Sequence, residues 1–352
     1  MKKKLTLVSH NQFGYQVSSY YYAYFLQHEY NIQYISFDEN KPRIILDGVE
    51  SLYLRKRGFI LYRNLRFAWF VSKHINIQKS DNVILKYFPF CSLVALFSLK
   101  EIVLDIRTAS VNKSFFVNIL LNSFLRFESF FFPKKIILSH SLKQRLMFRK
   151  ARVVPLGAFK KGYSIKKFNA LNLIYIGTFN SRDIYKTIDG LKIFIDRHRG
   201  IEVDYTLIGD GKAEVINEIT IRVEKYKLQN CVKLTGRLPH TNVGHWLKEA
   251  NVGISFIPQT NYFDKQPPSK TYEYLLAGMP VLATSTFENK RVVNNKNGVL
   301  IFDNSYSFAR GLWKIWENRN NWDSEVISKS VEEYNWGHII DTKLKPYLKL
   351  KA

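Results

Sequence analysis

The chain has 352 residues, 46% of them apolar and 15% aromatic, with 53 Lys and Arg against 29 Asp and Glu for a formal net charge of +24. That apolar content excludes intrinsic disorder, and the length exceeds what one compact core holds, so two domains of ordinary size are expected. The charge directs attention to polyanions, anionic lipid headgroups and phosphorylated substrates, and leaves the fold open.

Two cysteines, Cys91 and Cys231, stand far apart and outside any CxxC pair. This argues against a zinc site or disulfide framework and fits a reducing cytosol. The opening MKKKLTLVSHNQ has a basic tip, but its apolar run covers only Leu5 to Val8, shorter than a signal peptide requires. The greasy stretch 115–132 is interrupted by Asn118, Asn122, Arg126 and Glu128, and FPFCSLVALFSL is too short to cross a bilayer. A soluble or at most peripheral protein is expected.

In chain order, KLTLVS, IQYIS, NVILKY, EIVLDI and KKIILS read as strands of the first half. LNLIYIG, VDYTLIG, CVKLTG, VGISFI, PVLAT and GVLIF do so in the second. Helical segments at 14–28, 60–77, 112–131, 185–198, 212–227 and 304–319 fall between them. Such alternation predicts α/β architecture with parallel sheets covered on both faces, and the run is long enough for two sheets. The Pro, Gly and Lys-rich stretch 155–170 has neither period and marks the seam, giving a first domain over 1–157, a linker over 158–170 and a second domain over 171–335. No internal repeat or low-complexity tract is evident.

In open α/β sheets ligands bind beyond the carboxyl ends of the strands, so the strand-end loops are where site residues belong. Gly14, in SHNQFGYQ, lets the backbone approach a phosphate at the next helix N-terminus, although a plain turn explains it as well. In YIGTFNSRDIYKTI, Gly177 ends a strand and Arg182 precedes a helix, where a guanidinium can grip a diphosphate through two parallel hydrogen bonds; a solvated surface arginine is the plainer alternative. LIGDGKAEVI begins a GxGxxG fingerprint, but Glu214 stands where the last glycine belongs, so dinucleotide binding is weakly supported. In LTGRLPH the loop at Gly236 offers backbone groups to a base edge, with Arg237 stacking on it, or is simply a turn.

The loop PQTNYFDKQPPS leads into a helix expected from Ser269 to Gly278. Lys270 and Glu273 are three apart and share a face near its start. Glu273 can accept two hydrogen bonds from the vicinal hydroxyls of a ribose, while Lys270 and the first-turn amides neutralise a phosphate. A surface ion pair is the simpler reading. No Asp-x-Asp pair occurs, which disfavours a donor held through a metal; neither a metal nor a cofactor is expected.

VVPLGA, YIGTFNSRD, YTLIGDGKAEVI, VKLTGRLPH, ANVGISFIP, PPSKTYEYLLAGMPVLAT and NGVLIFD follow one another over most of residues 150–305, flanked by LDIRTASV and YNWGHIIDTKLKPYL. In that order and spacing the chain resembles a retaining GT-B glycosyltransferase of the family 4 type. The resemblance implies two doubly wound Rossmann-like domains facing across a cleft. The first binds the acceptor, the second binds the nucleotide sugar, and 336–352 packs back on the first. It implies transfer from a nucleotide-diphosphate sugar to a glycan or polyprenyl-diphosphate-linked acceptor in bacterial-type surface polysaccharide synthesis (capsule, O-antigen or exopolysaccharide), with retention of configuration. Glu273 takes the place of the second glutamate of the E-x7-E motif, whereas the first falls on Lys265, beside Asp264. Arg182 resembles the diphosphate-binding cation, with Lys270 sharing the role, and Glu288 stands in for an acidic residue usual near Arg291. Asp105 and Arg107 are the candidates for orienting the acceptor or stabilising an oxocarbenium ion; a mutual ion pair is the plainer alternative.

Residues 51–150 concentrate positive charge. In FILYRNLRFAWFVSKHINI, Arg63, Arg66, Lys73 and His74 fall in one arc at helical spacing with aromatics over much of the rest. The expectation is peripheral docking of the first domain on the anionic cytoplasmic face of the plasma membrane; a solvated basic face is the alternative. Two other function classes compete. A nucleic-acid-binding module fits the charge but lacks a recognisable motif, so nucleic acid is not expected as a partner. A nicotinamide-dependent oxidoreductase suffers from the incomplete glycine fingerprint.

Overall fold

In the computed structural model the segments Asn82–Lys86, Ile102–Ile106, Val252–Ser255 and Val281–Thr284 are buried along almost their whole length. Strands of that kind need cover on both faces, which accounts for two sheets that are parallel throughout. The structure describes residues 2–78, 80–98, 100–110, 114–160, 164–238, 243–260 and 263–348. It divides into two units, Met1–Leu156 with Trp336–Ala352, and Gly157–Asn335.

The first unit has seven strands: β1 (Lys3–Val8), β2 (Tyr30–Asp38), β3 (Val49–Arg55), β4 (Asn82–Lys86), β5 (Ile102–Ile106), β6 (Lys134–Ile137) and β7 (Arg152–Val153), in the order β3-β2-β1-β4-β5-β6-β7. Its helices are α1 (Val17–Leu26), α2 (Ile60–Gln78), α3 (Ser92–Phe97), α4 (Phe115–Ser129) and α5 (His140–Arg145). In α2 the apolar positions Phe67, Val71 and Ile75 recur every four residues and are fully buried. They share one core with Val94 of α3, Leu125 of α4 and the strand residues Leu85, Leu104 and Ile137, so these three helices cover the same face of the sheet. Ser114 and Ser139 cap α4 and α5 by accepting hydrogen bonds from the amides of Val117 and Leu142. Residues 336–348 form short helical turns on this unit. There Trp336 is fully buried, stacked on Tyr21 and edge-on to Tyr22 of α1.

The second unit has six strands: β8 (Leu171–Ile176), β9 (Val203–Ile208), β10 (Val232–Gly236), β11 (Val252–Ser255), β12 (Val281–Thr284) and β13 (Gly298–Ile301), in the order β10-β9-β8-β11-β12-β13. Helices α6 (Tyr185–Arg197), α7 (Ala213–Lys225), α8 (Val243–Glu249), α9 (Ser269–Leu276), α10 (Ser305–Glu317) and α11 (Ser324–Lys329) complete it. In both units the strand order reverses beside the first strand, which is the doubly wound Rossmann pattern with its switch point at β1/β4 and at β8/β11. The stretch expected as a linker packs on the second unit. Ala158 N–H donates to the Tyr334 carbonyl at 2.8 Å, and Lys166 Nζ reaches the Leu247 carbonyl at 2.6 Å. Residues 161–163 of that stretch lie outside the described residues. Among the described residues no helix is long and apolar enough to cross a membrane.

Candidate functional site

Where β8 and β11 part, the loops that follow them bound the crevice in which open sheets bind ligands. The loop after β8 is pinned to the loop after β9: Phe179 N–H donates to the Asp210 carbonyl at 2.8 Å, and Lys212 N–H to Asn180 Oδ1 at 2.8 Å. Within it Ser181 and Asp183 both take left-handed conformations, φ +55° and +51°. Each such residue costs roughly 1–2 kcal/mol relative to an ordinary backbone. Between them stands Arg182. Its guanidinium lies 4.0 Å from the ring centroid of Phe263, which belongs to the loop after β11. Arg182 Nη1 is buried and has no hydrogen-bond partner among the described residues. A charged donor kept from water without an acceptor is destabilising, and an anionic oxygen arriving there relieves it.

Helix α9 carries Lys270 and Glu273, and its seat is built from residues around them. The Tyr274 hydroxyl, buried, accepts the Ile176 N–H at 2.8 Å, tying α9 to the end of β8. Thr271 Oγ1 is within hydrogen-bond distance of Ser255 Oγ (2.8 Å) and Asn289 Oδ1 (2.9 Å), and Asn289 Nδ2 donates to the Thr284 carbonyl. Gly253 of β11 allows the contact: a Cβ there would stand 2.3 Å from the Tyr274 ring. Tyr272 stacks on Tyr334 with centroids 4.1 Å apart. The N-cap residue Pro268 supplies no side-chain cap to the amides of the first turn, so that end of the helix keeps its partial positive charge.

Thus held, Lys270 Nζ contacts both oxygens of Glu273, at 3.0 and 2.8 Å. The ion pair weighed from the sequence therefore exists. It does not exhaust either group, since an ammonium has a third N–H and a carboxylate has further lone pairs for hydroxyl donors.

The other residues singled out in this unit are placed less centrally. Gly177 closes β8 by donating to the Ile208 carbonyl. Arg237 follows the edge strand β10, is 79% exposed and touches Asp210 at 3.4 Å, a contact of little energetic weight in water. Residues 239–242 beyond it lie outside the described residues. Glu288 is buried, with Tyr272 and Tyr334 among its electrostatic neighbours, and its N–H donates to the Asp264 carbonyl at 3.3 Å. Asp264 Oδ1 accepts the Phe287 N–H at 2.8 Å, so this carboxylate ties the loop after β11 to the loop after β12. Lys265, next to it, is exposed.

In the first unit Gly14 turns the chain after β1 with φ +87°. Asp105, at the end of β5, is wholly buried, and Arg107 Nε lies 2.7 Å from its Oδ1. The contact is off the line of a hydrogen bond, and neither Asp105 oxygen accepts one among the described residues. Arg107 also donates to the Val154 carbonyl at 3.1 Å and faces the Tyr22 ring. Lys86, at the end of β4, donates to Ser18 Oγ at 2.8 Å. Burial raises the Asp105 carboxyl and lowers Lys86, each opposing the other's shift, while burial brings Arg107 down to about 9. Lys86 was legible only as a charge closing an apolar strand. His10, in the loop after β1, sits in an aromatic box of Phe37, Phe67 and Phe88. Burial first, then Arg63 and Lys56, holds its imidazole neutral, with the pKa lowered to about 3.

Residues 170–318 match the family model of glycosyl transferases group 1. The second unit is a glycosyl transferases group 1 domain. Solved structures agree with the whole chain. The glycosyltransferase from Rickettsia africae ESF-5 aligns with a TM-score of 0.75 and 12% identity over 99% of this chain and 100% of its own. HepE from Anabaena, in complex with UDP and glucose, gives 0.70 and 14% over 96% and 97%. The lipopolysaccharide outer core galactosyltransferase WaaB gives 0.69 and 13% over 96% and 97%. At these identities the likeness is one of fold, and that fold is GT-B. No curated protein matches the sequence. The group 1 domain contains Arg182, Lys270 and Glu273; Phe263, Thr271 and Tyr274, which hold them, were not singled out by the sequence because their roles depend on contacts across the sheet.

Proposed function

We propose that this chain transfers a sugar from a nucleoside-diphosphate sugar to a lipid-linked glycan acceptor at a membrane surface, in the synthesis of a surface polysaccharide. The observation that carries the reading is the buried Nη1 of Arg182, without a partner among the described residues, at the switch point of a glycosyl transferases group 1 domain. In this reading Arg182, the third N–H of Lys270 and the first-turn amides of α9 hold the diphosphate, and Glu273 holds the ribose hydroxyls. The HepE complex with UDP and glucose and the lipopolysaccharide role of WaaB support the donor class and the pathway class.

The hard step is departure of the nucleoside diphosphate from the anomeric carbon. Fixed cations aimed at the leaving oxygens stabilise the charge that grows there. The acceptor hydroxyl attacks the face that the diphosphate leaves, a departing phosphate oxygen takes its proton, and configuration is retained. No metal ion is required by this scheme. Asp105 and Arg107 serve the acceptor side by holding the strand ends of the first unit, since Asp105 itself is enclosed.

The test is a thermal-shift screen of UDP, GDP and ADP sugars, nicotinamide dinucleotides and RNA, followed by transfer assays with the best donor. A selective rise in Tm with one class of nucleotide sugar is expected. A rise with a nicotinamide dinucleotide or RNA instead removes the proposal.

A further inference from the structure

Helices α2, α3 and α4 cover the same face of the first sheet, and each leaves large apolar side chains in solvent on its outer side. The fullest case is α4. Phe116 is 80% exposed, Leu120 69%, Phe127 57% and the capping Phe130 80%. Spaced 4, 7 and 3 residues apart, these four fall on one ridge of the helix, while Leu125 points the opposite way into the core. The ridge runs about 22 Å along a helix of 15 residues. Beside it, α3 ends in exposed Leu96 and Phe97, and α2 presents Leu65 and Trp69 outward. An apolar surface of this extent on a water-soluble face marks a docking site.

Charge decides what docks. The stretches 56–80 and 106–127 contain no Asp or Glu. The one acid of α4, Glu128, is fully buried and accepts hydrogen bonds from the Ser92 amide and hydroxyl and from the Tyr87 hydroxyl. Cations flank the apolar ridge: Lys73 lies over the Trp69 ring at 5.5 Å, and Arg66 and Arg126 stand half-exposed beside it. A second copy of the chain would set cations against cations. An anionic bilayer offers apolar depth and negative headgroups together.

We propose that the outer face of α2, α3 and α4 docks on an anionic lipid bilayer, with the α4 ridge inserted at the headgroup boundary and Arg66, Lys73 and Arg126 at the phosphates. This enlarges the basic arc read on α2: Arg63 and His74 are half-buried there, His74 bonded to the Phe70 carbonyl, so the insertion belongs to α4. The inference rests on the reading of a lipid-linked acceptor and supplies the surface on which such an acceptor is met.

Flotation with vesicles of phosphatidylcholine alone, or with phosphatidylglycerol added, tests it. Binding is expected only with phosphatidylglycerol, weakening as salt rises, and falling about tenfold or more in Leu120→Glu/Phe127→Glu through loss of buried apolar area. Both side chains are exposed, so Tm and the thermal shift with nucleotide sugar should match the parent protein. On the unaltered chain, brominated lipid should quench fluorescence that Trp69→Phe removes. Equal binding to neutral vesicles, an unaffected double variant, or a concentration-dependent dimer with Trp69 unquenched overturns the docking face. Loss of the nucleotide-sugar shift with vesicle binding intact instead counts against the transferase reading alone.

Discussion

At Arg182 three local features converge: left-handed residues on either side, a phenyl ring beneath, and a guanidinium nitrogen with no acceptor among the described residues. Arg182→Ala should lower transfer by about 10²–10³ fold, as removal of a preorganised charge donor does elsewhere, while the fold persists. Arg182→Lys should recover only part of this, because an ammonium lacks the two-pronged geometry. Initial rates and donor affinity check both, and full activity in the alanine variant means that the diphosphate is held elsewhere. Glu273→Gln should raise the donor Kd about tenfold by weakening bonds from the ribose hydroxyls, measured by calorimetry. His10 gives a pH prediction. Its imidazole takes up a proton near 6.5 in the unfolded chain and near 3 in the folded one. The unfolded state therefore binds the proton first, and stability is lost as pH falls through that interval, by up to about 1.4 kcal/mol per unit. His10→Phe should flatten this slope in denaturant titrations between pH 6 and 4. The placement of Arg182 in a strand-end loop and the Lys270–Glu273 pairing were legible because both signals are local. The burial of Asp105 and Glu288 was not legible, because it is set by neighbours distant in sequence.

The element that matters most to the site is α9, whose eight residues are too few to hold a helix alone. Its position comes from Thr271, Tyr274 and the bare backbone of Gly253. Thr271→Val should cost about 1–3 kcal/mol by leaving Asn289 without its buried hydroxyl partner. It should lower Tm and weaken donor binding together, because Lys270 and Glu273 move with the helix. An unchanged Tm would show that the hydroxyl contributes nothing to the seat. The strand–helix alternation was readable across both units because central strands are continuous apolar runs. The exceptions are the two edge strands of the first sheet: β3, VESLYLR, whose alternating polar residues resemble a loop, and β7, only two residues long. Of the helix expected over 112–131, residues 112 and 113 lie outside those described, and α4 runs from Phe115 to Ser129.

For the whole molecule, two sheets with the same 3-2-1-4 beginning explain why a count of strands was enough to expect two Rossmann-like units. What composition did not show is how unevenly the first unit spends its apolar residues, many of them outward on one face. The same unit closes with Trp336, fully buried against Tyr21 and Tyr22. Trp336→Ala should cost about 3–5 kcal/mol. Its Trp Nε1 has no partner among the described residues, so the loss comes from packing rather than from a hydrogen bond. Differential scanning calorimetry should show the transition of the first unit lowered ahead of the second; one unshifted transition would contradict this.

Because Trp336 to Leu348 belong to the first unit, that unit stays unfinished on the ribosome until the whole second unit has been made, although nascent domains ordinarily fold in order of synthesis. The bare aromatic side of α1 waits throughout translation for its covering, and this interval is when the newborn chain is most open to chaperones and to aggregation.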